Sequence, residues 1–307
     1  MTEPGTPTLD QLRVFLAVVD AGGFAAAARA LGRATSVISY TIANLEDQLG
    51  VQVFDRTATR KPELTEAGRI VLAEACAVMR DVDGLRARVR GLLHGLEAEL
   101  GLVVDVLLPT ARLVDALEQF SARFPTVPIR LHTEALGAVM QKVLDGSAMI
   151  GILGGLEIEA ANIERIAVGA VDLVPVCAPQ HALAQAASTH PGAARAHLQL
   201  VLTDRSPLTE GRDFSVLSPR TWRLADLGAK HALLLAGLGW GNMPLPMVAD
   251  DLAAGRLVEM RAPDLRRHAY PLTAIHRTDT LPGPAASWLI AHFRAQAGLP
   301  INSNDLI

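Results

Sequence analysis

Apolar residues recur at helical spacing from the start of the chain: Leu9, Leu12, Phe15, Leu16 and Val19 share one face, and the run stops at Ala21-Gly22-Gly23. Steps of three and four bring side chains onto one side of an α-helix, and a glycine just beyond is a stop signal. A shorter set, Phe24, Ala27, Ala28 and Leu31, predicts a second helix closed by Gly32, with Arg33 and Ala34 in a turn. A third set, Val37, Ile38, Ile42, Leu45 and Leu49, predicts a helix with Thr35 or Ser36 as N-cap and Gly50 as C-cap. Its outer face offers Ser36, Ser39, Tyr40, Thr41 and Asn44, and no Lys or Arg occurs between Thr35 and Glu46. Two helices across a tight turn, with alanines where backbones approach, form a helix-turn-helix, whose second member lies in a DNA major groove. The competing reading is an ordinary three-helix bundle with a solvated face.

The next segment favours the first reading. Val51 to Thr57 predicts a strand, Ala58 to Pro62 a turn and Glu63 to Thr65 a short return strand, making a hairpin wing that carries Arg56, Arg60 and Lys61. Cations beside a groove-reading helix meet phosphates, which position a protein, while the helix reads base edges. Arg29 and Arg33 lie nearby in sequence, but Glu46, Asp47 and Asp55 offset these charges, so non-specific affinity for DNA is expected to be modest.

Thr65-Glu-Ala then caps a long helix. Val71, Ala75, Val78, Val82, Leu85, Val89, Leu92 and Leu96 follow at alternating steps of four and three, the spacing of a coiled-coil seam, with Arg80, Asp81, Arg86, Arg88 and Arg90 opposite. So narrow a stripe predicts a partner helix from a second copy. Gly84 and Gly91 each weaken the helix by roughly 1 kcal/mol relative to alanine, so packing must hold it.

Beyond Gly101 strands and helices alternate. Strands are expected at Leu102 to Leu108, Val127 to Thr133 and Ala148 to Leu153, with helices at Thr110 to Phe124 and Ala138 to Asp145. That grammar implies a parallel sheet with crossover helices. Strands at Leu173 to Ala178, Gln199 to Thr203 and Thr221 to Leu224, with helices at Leu227 to Ala236 and Met247 to Ala254, suggest a second lobe. Pro271 to His276 and Ala285 to Ala297 return to the first.

A chain of 307 residues accommodates two or three domains, and 50% hydrophobic with 20% charged residues describes a globular protein. A formal net charge of −4 does not advertise nucleic acid. The N-terminus lacks the basic and apolar segments of a secretory signal, and no apolar run approaches the ~20 residues of a membrane span. The expected location is the cytoplasm, with no membrane partner. Cys76 and Cys177 are too few for a disulfide scaffold.

Four blocks, Phe24-Ala-Ala-Ala-Ala-Arg-Ala-Leu-Gly, Ser36-Val-Ile-Ser-Tyr-Thr-Ile-Ala-Asn-Leu-Glu, Leu49-Gly-Val-Gln-Val-Phe-Asp-Arg and Leu64-Thr-Glu-Ala-Gly, fall in the order and spacing of one known domain. The chain resembles the LysR-type transcriptional regulators. Phe124-Pro125, Asp145-Gly146 and Ala236-Gly-Leu-Gly-Trp-Gly-Asn-Met-Pro244 are similar to landmarks of that family's effector domain, a two-lobed fold like that of type 2 periplasmic binding proteins. The resemblance implies a winged helix-turn-helix over 1–65, a linker and dimerisation helix over 66–97 and an effector domain over 98–307. Within the last, lobe I spans about 98–172 and 270–300, and lobe II about 173–269.

It further implies DNA contacts from Thr35, Ser36, Val37, Ser39, Tyr40 and Thr41 and from the wing cations Arg56, Arg60 and Lys61. The chain departs from the family at Ala34-Thr35-Ser36, where many members have Ser-Gln-Pro, and at Tyr40, where an arginine is frequent. A phenol makes no bidentate pair with guanine, so relatives' operator preferences do not transfer. The effector is expected between the lobes, lined by Thr110, Leu153, Gly154, Thr203, Arg205, Ser206, Trp240 and Met243. Partners implied are double-stranded DNA, a small-molecule effector, further copies in a homodimer or homotetramer, and RNA polymerase if the protein activates.

No G-x-S-x-G elbow, H-E-x-x-H pair or phosphate-binding G-x-x-x-x-G-K-[ST] loop occurs, and Gly237-Leu-Gly-Trp-Gly-Asn lacks the context of a dinucleotide fingerprint. No cofactor, metal or catalytic constellation is expected; Cys177, four residues before His181, reads as a core cysteine. A solute-sensing module whose N-terminal helices bind protein alone is the alternative, against which the wing cations speak.

Overall fold

The computed structural model describes residues 5–55, 62–93, 95–155, 160–185, 190–204, 206–260 and 264–299. The wing cations Arg56, Arg60 and Lys61 and the effector candidate Arg205 lie outside the described residues. The chain forms two compact units, Met1–Arg90 and Gly91–Ile307.

In the first unit, α1 (Leu9–Ala21) begins with a reciprocal cap between Thr8 and Gln11 and ends at Gly22, left-handed at φ 68°. Helices α2 (Phe24–Leu31) and α3 (Thr35–Leu49) end likewise at Gly32 and Gly50. Val14, Phe15, Val18, Ala27, Ala28, Ile38, Ile42 and Leu45 close one core, joined by Val53 and Phe54. Phe54 meets Phe15 and Phe24 with ring centroids 5.5 Å apart in both pairs. Among the described residues of the hairpin, β1 (Phe54–Asp55) pairs antiparallel with β2 (Glu63–Leu64), and Val51 to Val53 lie before the strand. Helix α4 (Glu66–Leu93) starts at Thr65, whose Oγ1 accepts from Gly68 N at 2.9 Å. A Cβ on Gly68 would stand 2.1 Å from the Val53 carbonyl oxygen, so only glycine lets α4 lie this close to the wing.

Along α4, Val71, Leu72 and Ala75 join the first unit's core, but Val78, Leu85, Val89 and Leu92 are 39 to 57% exposed. The expected seam is one residue too long. Gly95 turns left-handed at φ 77°, and Leu96, beyond the helix, packs into the second unit's core.

In the second unit β3 (Leu100–Asp105), α5 (Thr110–Arg123), β4 (Ile129–Glu134), α6 (Gly137–Leu144) and β5 (Ile150–Gly154) make a right-order parallel group, with β3 between β4 and β5. Then comes the long β6 (Ile163–Cys177), of which only the last part was expected. Helix α7 (Ala182–Gln185), β7 (Gln199–Leu202), β8 (Thr221–Leu224), α8 (Leu227–Leu235), β9 (Trp240–Pro244), α9 (Leu245–Ala253) and β10 (Val258–Glu259) follow. The chain closes with β11 (His268–Arg277) and α10 (Pro284–Gln296).

The sheet is mixed rather than wholly parallel, in the order β4-β3-β5-β11-β6-β9-β7-β8, with β10 on β6. Strands β6 and β11 run antiparallel through both halves and change register between Pro271 and Thr273. Ile163 to Ala167 pairs with the far end of β11, beside β5, whereas Leu173 to Cys177 pairs with β9. Two strands thus cross from one lobe to the other, each lobe keeping its own core. Leu100, Leu102, Ile150, Ile152 and Phe293 fill one, and Val174, Leu200, Leu234, Met243 and Val248 the other.

Candidate functional site

Helix α3 presents the polar face. Ile38, Ile42 and Leu45, at steps of four and three, are buried, which turns Thr35, Ser36, Val37, Ser39 and Tyr40 outward. Tyr40 is 69% exposed, a large aromatic surface on a single chain. Thr41 is half-buried and its hydroxyl donates to Val37 O at 2.8 Å. The N-cap is Ala34 rather than Thr35 or Ser36, and no side chain caps the helix. Both hydroxyls therefore sit inside the first turn, where free N–H groups and the helix dipole favour a negative charge.

Two side chains fix this surface, and neither role was evident from sequence. Glu46, 4% exposed, accepts at Oε1 from Val53 N at 2.9 Å and Phe54 N at 3.3 Å, fastening α3 to the wing strand. Arg33 pairs in two bonds of 2.8 Å with Asp10, so this cation braces the turn between α2 and α3.

Between the lobes of the second unit lies a cleft with a cavity volume of about 80 Å³. Asp105, Leu107 and Leu136 line it from the β3 and α6 ends, Leu173 and Tyr270 from the crossing strands, and Gln199, Phe214, Lys230 and Asn242 from the far lobe. Asp105 is buried at the C-terminal end of β3. Its carboxylate accepts from Leu107 N at 2.8 Å and Tyr270 Oη at 3.1 Å, and the N–H groups of Leu136 and Gly154 bond to it as well. Burial pushes its pKa up to about 6, against the downward pull of those donors. They hold Leu136 at φ 50°, a region costly for a residue with a Cβ. The Tyr270 ring covers the end of β5 so closely that a Cβ on Gly154 would stand 1.9 Å from it.

On the other side Gln199, 2% exposed, donates to Ser215 O and accepts from Leu217 N, both at 2.8 Å, which pins the segment that brings Phe214 to the cleft. Lys230, on α8 and 3% exposed, donates from Nζ to Asn242 O at 2.7 Å. Burial pushes its pKa down to about 7. A separate contact joins the lobes: Asp204 accepts from Ala138 N at 3.1 Å, at the start of α6, and from the Thr209 hydroxyl.

The cleft wall differs from the expected one. Trp240 and Met243 are wholly buried: the Trp240 indole donates to Ala194 O at 3.2 Å, and Met243 packs with Val174 and Val248. Strand alternation points Met243 away from the face of its neighbour Asn242, which does line the cleft. Leu153 is buried among Val103, Val139 and Ile275, and Gly154 lies under Tyr270. Thr110 is exposed in the first turn of α5. Thr203 and Ser206 border a separate, open polar depression with Asp204, and Ser206 Oγ stands against Gly137 of the first lobe. Cys177, packed beside Trp240, has its thiol pKa pushed up to about 11 by burial.

An N-terminal winged helix-turn-helix, a long helix with an apolar stripe, and a two-lobed α/β unit with a cleft define the class of an effector-linked DNA-binding regulator. Residues 9–69 match the model described as bacterial regulatory helix-turn-helix protein, lysR family, and residues 93–298 match the LysR substrate binding domain. The chain belongs to the LysR-type transcriptional regulators and is a DNA-binding transcription regulator with an effector-binding domain, not an enzyme. It is 30% identical over 287 residues to the probable HTH-type transcriptional regulator YhaJ of Escherichia coli, covering 92% of this chain and 94% of that protein. It is 32% identical over 265 residues to the activator AllS of Klebsiella pneumoniae, covering 81% and 93%. Full-length LysG from Corynebacterium glutamicum shares the fold at a TM-score of 0.51 and 19% identity, over 96% of this chain and all of that one. A Corynebacterium glutamicum OxyR mutant does so at 0.52 and 19%, over 97% and 96%.

Proposed function

We propose that this regulator reads its operator through Thr35, Ser36, Val37, Ser39, Tyr40 and Thr41 of α3, with Arg56, Arg60 and Lys61 of the wing on the flanking phosphates, and that a small molecule in the inter-lobe cleft modulates it. The outward, uncharged polar face of α3 carries the reading, because hydroxyl and amide groups can satisfy base edges without the solvation demand of a charge. A phenol at position 40 is suited to a thymine methyl. A ligand favouring one relative disposition of the lobes would shift the population between DNA-binding states. One neighbour, LysG, is described with arginine as bound effector.

The exposed stripe Val78, Leu85, Val89 and Leu92 supports a homodimer through α4, with a tetramer if the effector units also pair. The protein would act in the cytoplasm, and on RNA polymerase if it activates. The test is a gel-shift series on the chain's own promoter region. Ser39→Ala should change sequence preference, whereas Arg56→Ala should lower affinity across sequences and reduce the salt slope by about one. If both variants bind like the wild type, the assignment of contacts is wrong.

A further inference from the structure

Lys230 stands out among the described cationic side chains of the effector unit because it is buried at the wall of the cleft with no acidic partner among the described residues. When protonated, its Nζ offers three N–H donors, and one goes to Asn242 O at 2.7 Å. Among the described residues no carboxylate forms an ion pair with it. Asp105, the buried acid of the same cleft, already accepts from Leu107 N, Tyr270 Oη and two further N–H groups. Gly241 leaves room for the lysine: a Cβ there would meet Lys230 Cε at 3.0 Å and Nζ at 3.4 Å, so the missing side chain lets the ammonium lie along β9 beside Asn242. Asn242 borders the cleft as well, its side chain on the strand face opposite Gly241. Around them the lining is mostly apolar, with Leu107, Leu136, Leu173 and Phe214.

A desolvated ammonium with spare protons is expensive unless an anion completes it. We propose that the cleft ligand is a small carboxylate with an apolar body, its carboxylate accepting from Lys230 Nζ and its body lying against Leu136, Leu173 and Phe214. This rests on the cleft being the effector site. The depressed pKa of Lys230, about 7, accords with a site whose counter-charge arrives with the ligand. A cationic ligand would meet like charge at Lys230; a neutral one would leave the ammonium uncompensated.

The sequence contains only three lysines, Lys61, Lys142 and Lys230. Lys142 is partly exposed beside Glu134, so carbon-13 labelling of lysine Cε gives the full-length protein few resonances, and Lys230→Met assigns the one from the buried Lys230. Phenylacetate, benzoate and 4-methylpentanoate are titrated at pH 8 against their neutral amides, with binding measured by calorimetry on the wild type and on Lys230→Met. The expected result is that at least one carboxylate moves the Lys230 resonance toward the protonated position, that its amide does not, and that Lys230→Met loses at least tenfold in affinity while staying folded. If the amides bind as well as the acids, with Leu136 or Phe214 responding, the ligand class is wrong while the cleft remains the site. If a carboxylate binds Lys230→Met with full affinity and leaves the cleft resonances unmoved, both readings fall. If no carboxylate binds at millimolar concentration, the proposal is overturned.

Discussion

Replacing Lys230 by methionine should stabilise the effector unit at neutral pH, and the gain should disappear as the pH rises. In the unfolded chain the lysine keeps its proton up to its ordinary 10.5, whereas in the folded unit it gives it up near 7. Below pH 7 both states are charged and the folded state carries the full desolvation cost. That gap of 3.5 pKa units (10.5 minus 7) at 1.36 kcal/mol each is on the order of 5 kcal/mol. Between the two values the unfolded state holds more protons, so stability climbs with pH. From pH 7 to 9 the climb attributable to Lys230 is roughly 2 to 3 kcal/mol, and the methionine variant should lack it. Asp105 does not interfere there, since it is ionised in both states above about 6. Cys177, held up to about 11 against an ordinary 9.0, works in the opposite direction, and only above pH 9. The three tryptophans, Trp222, Trp240 and Trp288, all lie beyond residue 90, so their fluorescence during urea unfolding follows the effector unit alone. If the difference in unfolding free energy between wild type and Lys230→Met is the same at pH 7 and pH 9, Lys230 is not desolvated as the structure has it.

Other outcomes follow from single contacts. Gly68→Ala drives a methyl into the Val53 carbonyl and should cost roughly 1 to 3 kcal/mol or more in the DNA-binding unit; circular dichroism melts of residues 1–90 against the full chain would detect it, and an unchanged melting temperature would contradict the packing. Leu85→Glu and Val89→Glu each put a carboxylate into the apolar stripe of α4 and should raise the dimer Kd at least about tenfold, read by sedimentation equilibrium; undiminished self-association would move the interface elsewhere. Asp204→Ala strands Ala138 N and the Thr209 hydroxyl, and should lower the stability followed by tryptophan fluorescence by roughly 1 to 3 kcal/mol; a neutral result would mean that the lobes are not held there.

Much of the DNA-binding unit was legible because its signals are local. Glycines at 22, 32 and 50 end helices in the left-handed conformation that glycine favours, and the buried set of α3 follows from steps of three and four. What sequence missed depends on contacts distant along the chain or on direction. Glu46 looked like one acid among several on a helix, yet its carboxylate reaches two N–H groups seven and eight residues on. The first half of β6 is a mixed string, Ile163-Glu-Arg-Ile-Ala-Val, whose polar members face out while β11 supplies the pairing, so no apolar run announced it.

The cleft was located by topology, but several of the described residues expected to line it face elsewhere. Met243 was chosen where its neighbour Asn242 faces the cavity, a one-place error that alternation along a strand makes decisive. Trp240 drew attention as a large aromatic near the crossing, but its indole had a carbonyl partner in the core. Lys230 carried no sequence signal at all: a lysine on a short helix normally faces water, and only the fold of β9 around it reveals that this one does not.

The central claim is that the outward face of α3 meets nucleotide bases. Single cysteines placed at Ser39 and, as a control, at Asp20, in a background with Cys76→Ser and Cys177→Ala, can carry a photoactivated crosslinker onto a duplex from the chain's own promoter region. Crosslinks from position 39 to bases of one major groove, absent from position 20, are the result expected. Equal labelling from both positions, or none from position 39 while the duplex is bound, would contradict it.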